Sequence, residues 1–131
     1  MLIDDFYHIT ELQKSGVTLR AQIELNSYHA IFKGHFPQQA IVPGVMQIQI
    51  IKELLEDDFK MALLIKEVIV AKYLRPVTPA EHRVLQIQID HKITESGEYL
   101  INATVSNKET TFTKLKARLS ESGMQGKVTT S

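Results

Sequence analysis

The chain contains no cysteine. That excludes a disulfide framework and a cysteine nucleophile, and it fits a reducing compartment. There is no excess of either charge: Lys plus Arg number 15, as do Asp plus Glu. A net charge near zero argues against electrostatic capture of nucleic acid or of an anionic membrane. No apolar run approaches the ~20 residues of a membrane helix. The N-terminus, MLIDDFYHITEL, lacks the basic region and apolar core of a signal peptide. The expectation is a soluble, cytoplasmic protein. Metal-ligand spacing is missing too: His8, His29, His82 and His91 are scattered and read as surface or internally satisfied histidines. No H-E-x-x-H, G-x-S-x-G or phosphate-cradling glycine loop occurs.

What is present is enough for one domain. A chain of 131 residues buries roughly 68–70% of its unfolded surface without needing a disulfide or a metal. Residues 1–12 show no period and read as a short helix or irregular lead-in. From Val17 to Leu25 apolar and polar residues alternate, which predicts a strand with one wet face. Residues 26–34 read as a loop. After Pro43 the residues Val45, Met46, Ile48, Ile50, Ile51, Leu54 and Leu55 predict a helix over about 43–58, apolar on most sides. A proline suits its first turn, where a missing N–H costs nothing. Further strands are predicted over 65–74, 84–90, 99–106 and 115–119, with turns at Ser96-Gly97 and Asn107-Lys108-Glu109. The sum is an α+β fold with about five strands, four of them in a meander. An antiparallel sheet with one apolar face wraps around the one apolar helix. The domain is expected over 1–120, with 121–131 a disordered tail.

One stretch carries candidate chemistry: Gly34-His35-Phe36-Pro37, then Pro43-Gly44-Val45-Met46. It sets a histidine in a proline-stiffened loop that leads into a helix. The first N–H groups of that helix lack internal acceptors, and its dipole is positive there. A base beside such donors suits proton abstraction next to a carbonyl. A loop histidine bonded to backbone is the plainer reading of the same residues.

These residues resemble the signature of FabA/FabZ-type 3-hydroxyacyl-acyl carrier protein dehydratases, in which Gly-His-Phe-Pro precedes an aliphatic-Pro-Gly-Val and the central helix. Ala71-Lys72-Tyr73-Leu74-Arg75-Pro76-Val77-Thr78-Pro79 is similar to the same family's aromatic-x-Arg-Pro-Val-x-Pro strand end. The resemblance spans about residues 5–119 and implies the hotdog fold. It implies His35 as the catalytic base and the Gly44 backbone N–H as oxyanion donor. Phe36, Pro43, Val45, Tyr73 and Arg75 become substrate-binding candidates. It implies no metal and no resident cofactor, the acyl group being carried on the phosphopantetheine of an acyl carrier protein or on coenzyme A. It also implies a homodimer, with a trimer of dimers or a heteromer with a related dehydratase as further assemblies. His35 of one subunit would then face position 49 of the other, and the partner's 71–77 segment would flank an apolar tunnel at the helix start.

At position 49, fourteen residues after the histidine, the family carries Glu or Asp; here it is Gln49. A glutamine can hydrogen-bond a hydroxyl but has no titratable proton to give. Glu53 follows one turn later on the same face, displaced by ~6 Å of rise, and is expected to be a solvated helix residue. Gln47 is expected to be structural. Two main readings compete: a working dehydratase of fatty acid, polyketide or polyene synthesis, and a degenerate acyl-binding homologue or non-catalytic partner subunit. A hotdog thioesterase is disfavoured by the His-Phe-Pro loop.

Overall fold

The computed structural model describes residue 3, residues 5–26 and residues 41–122. Six strands and one long helix follow in the order β1 (Tyr7–Ser15), β2 (Thr18–Leu25), α1 (Gly44–Phe59), β3 (Leu63–Tyr73), β4 (Val84–Ile93), β5 (Tyr99–Ser106) and β6 (Thr111–Glu121). All six strands form one sheet in the order β1-β2-β4-β5-β6-β3, and every pairing is antiparallel. This is the hotdog fold, a single helix packed against an antiparallel sheet.

Alternation explains the inner strands. Leu19, Ala21, Ile23 and Leu25 of β2 are buried, as are Leu85, Ile87 and Ile89 of β4 and Ile101, Ala103 and Val105 of β5. Leu115, Ala117 and Leu119 do the same on β6. The helix meets this face with Ile50, Ile51, Leu54 and Leu55. Each such side chain contributes about 1.5–3 kcal/mol on burial. Gly16 (φ 59) and Gly97 (φ 84) sit in tight turns where a side chain would be strained. The Asn107 turn closes through its Oδ1, which accepts from the amides of Glu109 and Thr110 at 2.9 and 2.8 Å.

Three expectations need correction. The lead-in is a strand: β1 pairs with β2 from Tyr7↔Leu25 to Ser15↔Thr18. Its side chains are mostly exposed, so ladder hydrogen bonds rather than an apolar period hold it. The meander is also shorter than expected. It runs β4-β5-β6, while β3 lies beyond β6 at the sheet edge. A hairpin from β3 to β4 is replaced by a crossing segment stiffened by Pro76 and Pro79 and anchored by the buried Val77. Thirdly, β6 runs through Glu121, and the Ser122 amide donates to Ala62 O at 2.9 Å. The rest of the expected tail lies outside the described residues.

Candidate active site

The helix start is the organising element. Residues 41–43 lead into it, and the Val42 amide donates to Val77 O at 2.8 Å. This ties the helix entry to the Arg75-Pro76-Val77 segment. Pro43 is the N-cap, with φ −58 and ψ 150 and no side-chain cap. Its carbonyl accepts from the amides of Met46 and Gln47 at 3.0 and 3.2 Å. The Gly44 and Val45 amides have no acceptor among the described residues, as expected of a helix's first N–H groups.

Gly44 is required here for space. A Cβ on it would stand 2.5 Å from both Cζ and OH of Tyr73. The Tyr73 ring therefore lies directly on the helix start. Tyr73 reaches the helix start within its own chain. Pro43 is half-buried, and Val45 and Tyr73 are exposed by 74% and 51%. An apolar patch thus surrounds the Gly44 amide. Arg75 is exposed, and its amide donates to Phe112 O at 3.3 Å. His35 and Phe36 lie outside the described residues.

Gln47 plays the structural part expected of it. Its Oε1 accepts from Thr113 Oγ1 of β6, and its Nε2 donates to Val42 O at 3.2 Å. It thereby fixes the helix start against both sheet and entry segment. Gln49 is half-buried, and its Nε2 donates to Glu53 Oε2 at 2.8 Å.

Glu53 overturns its expectation. It is completely buried, not solvated. Besides Gln49, its carboxylate accepts from the Ile3 amide at 2.9 Å and the Tyr7 hydroxyl at 3.2 Å. A buried carboxylate with several donors is a built feature, because an unpartnered one would be costly. A signal was available: at 100° per residue Glu53 falls on the border of the stripe formed by Ile50, Leu54 and Leu55. Its charge masked that position. Tyr7, in a segment without period, gave no signal.

The scattered histidines are accounted for where described. His82 Nδ1 accepts from the Thr78 amide at 3.0 Å, and its ring packs 4.6 Å from Phe112. His91 lies 5.0 Å from the Phe59 ring, and His8 lies 3.4 Å from Glu24. His29 lies outside the described residues. Among those residues no group of three or more His, Asp or Glu side chains is placed to hold a metal ion. No described helix is long and apolar enough to cross a membrane.

The same architecture recurs in solved structures. The dehydratase heterocomplex ApeI:P from Xenorhabdus doucetiae matches with a TM-score of 0.69 and 20% identity, covering 85% of this chain and 95% of the other. An uncharacterised protein from Erwinia carotovora subsp. atroseptica matches with a TM-score of 0.61 and 18% identity, over 89% of this chain and 94% of the other. A sigma28-regulated virulence protein from Campylobacter jejuni has a TM-score of 0.64 at 8% identity, over 90% and 85%. At such identities these likenesses speak for the fold. No protein of curated function matches the sequence. The ApeI dehydratase model matches residues 11–114, a span holding the helix start, Gln49, Glu53 and the Tyr73 strand end: the chain belongs to the ApeI-like dehydratase family.

Proposed function

We propose that this protein is a hydro-lyase that removes water from a 3-hydroxyacyl thioester, with the carrier arm and site arrangement of the FabA/FabZ type. The observation that carries the reading is the helix start. The Gly44 amide has no acceptor among the described residues and lies beside Pro43, Val45 and the Tyr73 ring, and Gln49 presents a polar side chain on the same helix.

In this reading His35 takes the α-proton of the thioester. The electron pair passes into the thioester carbonyl, whose oxygen is held by the Gly44 N–H. It returns to form the Cα–Cβ double bond as the C3–O bond breaks. The departing hydroxide needs a proton, and a carboxamide has none to give. The proton taken by His35 completes the water. Loss of a positioned acid typically costs ~10²–10⁴-fold, so the enzyme is expected to be slow.

The proposed assembly is a dimer joined along β3. Leu64, Val68, Ile69 and Val70 of this edge strand are exposed, as are Tyr73, Leu74 and Val45 nearby. An apolar edge of that kind is a pairing surface. The second reading, a non-catalytic partner subunit of an active dehydratase, is favoured by the neutral side chain at 49. The likeness to a dehydratase heterocomplex agrees with it.

The test is turnover of 3-hydroxyacyl thioesters, on a carrier protein and on coenzyme A, followed by enoyl absorbance. Wild type is expected to be active and His35→Ala to fold but lose turnover. Activity of that variant within about threefold of wild type would overturn the base assignment. Silence of the wild type alone, with stimulation of a carboxylate-bearing relative on mixing, would establish the partner reading.

A further inference from the structure

A glutamine can turn either end of its amide toward a ligand, as donor or as acceptor. Here the choice is made by the neighbouring side chain. Glu53 is buried, and its carboxylate already accepts from the Ile3 amide and the Tyr7 hydroxyl. Both of those contacts use one carboxylate oxygen, Oε1, as acceptor. The Gln49 Nε2 donates to the other carboxylate oxygen, Glu53 Oε2, at 2.8 Å. Reversing the amide would set a carbonyl oxygen against a carboxylate oxygen. Gln49 Oε1 is left without a partner among the described residues.

We infer that Glu53 is a positioning residue that locks the Gln49 carboxamide with Oε1 toward the substrate, making the site selective for acyl groups that carry a hydrogen-bond donor at C3. The inference rests on the acyl-thioester reading above and sharpens it. A 3-hydroxyl group can donate to Oε1. A 3-oxo group has no donor and would set two carbonyl oxygens against each other. Gln49 thus recognises the hydroxyl without protonating it, and the selectivity originates one turn further along the helix.

The experiment is calorimetric binding of two unreactive amide analogues, 3-hydroxyacyl- and 3-oxoacyl-pantetheine of equal chain length. Wild type should prefer the hydroxy ligand by about tenfold, the order of one hydrogen bond. In Glu53→Gln the new amide keeps an oxygen for Ile3 and Tyr7 but releases the Gln49 amide to flip. The preference should fall to about twofold or less with the melting temperature near wild type. The exchanged variant Gln49→Glu/Glu53→Gln restores an acceptor-only group at position 49 and should recover the preference, which a purely structural role for Glu53 would not produce. Equal binding of both analogues to wild type would overturn the inference and leave the acyl-thioester site standing. An undiminished preference in Glu53→Gln would overturn it as well. Binding of neither analogue to wild type would overturn both. If Glu53→Gln does not fold, the wild-type ratio and the exchanged variant decide the matter.

Discussion

A carboxylate at position 49 would lie within hydrogen-bonding distance of a second one, since Gln49 Nε2 is 2.8 Å from Glu53 Oε2. Two carboxyl groups that close can hold one proton between them, and the protonated one has an O–H to donate. Gln49→Glu should therefore gain a protonated acid and raise the dehydration rate by about tenfold or more. The sign of its pH dependence follows. The active form carries one proton on the pair, so the gain should fade as pH rises and that proton is lost. A rate profile with the wild-type shape would contradict this. Gly44→Ala acts differently: its Cβ would meet Tyr73 at 2.5 Å, and the exposed ring must swing aside. Turnover should fall at least several-fold with little loss of stability, measured by kinetics and melting. Gly44 was legible from Pro43-Gly44-Val45, because backbone needs leave marks in sequence. Glu53 was not, because burial of a charge depends on donors from Ile3 and Tyr7, about fifty residues distant in the chain.

The strands divide by how they are held. β2, β4 and β5 carry clean alternation because each has one face on the core, and they could be read directly. β1 escaped because an edge strand with exposed side chains has no period to show. The apolar residues on both faces of β3 were visible, but its place at the edge was not. Crossing from β6's far side to β4 is set by long-range pairing, to which local pattern is blind. The edge position makes a prediction: Val68→Lys should blunt β3 and shift the protein from dimer to monomer in light scattering. An unchanged mass would place the interface elsewhere. The same region offers a pH probe. Arg118 of β6 donates to Glu98 at 2.8 Å and to Glu67 of β3 at 2.9 Å. The bond from Arg118 holds the Glu98 carboxyl below its ordinary range. A depressed carboxylate stabilises the fold above its unfolded pKa, and that contribution is lost as pH falls through the folded value. Thermal melts from neutrality down to about pH 3 should show a shallower acid decline in Glu98→Gln than in wild type. The difference should be small, since exposed ion pairs contribute little.

At the scale of the whole molecule, the proposed dimer, with His35 of one subunit facing position 49 of the other, predicts complementation. His35→Ala and Gln49→Ala chains, each impaired alone, should regain part of the activity when co-expressed as mixed dimers, since one of the two sites is then intact. No recovery in verified heterodimers would mean that each chain builds its site alone. Architecture was legible because one greasy helix and one greasy sheet face have few ways to cover each other. The link between the chain's beginning and its centre was not. The carboxylate beneath Gln49 is held partly by the backbone amide of Ile3, so that residue is part of the helix's support. Trimming residues 1–5 would remove a donor that no side-chain substitution can remove. The truncated protein should keep its sheet yet lose hydroxyl discrimination in the same binding assay.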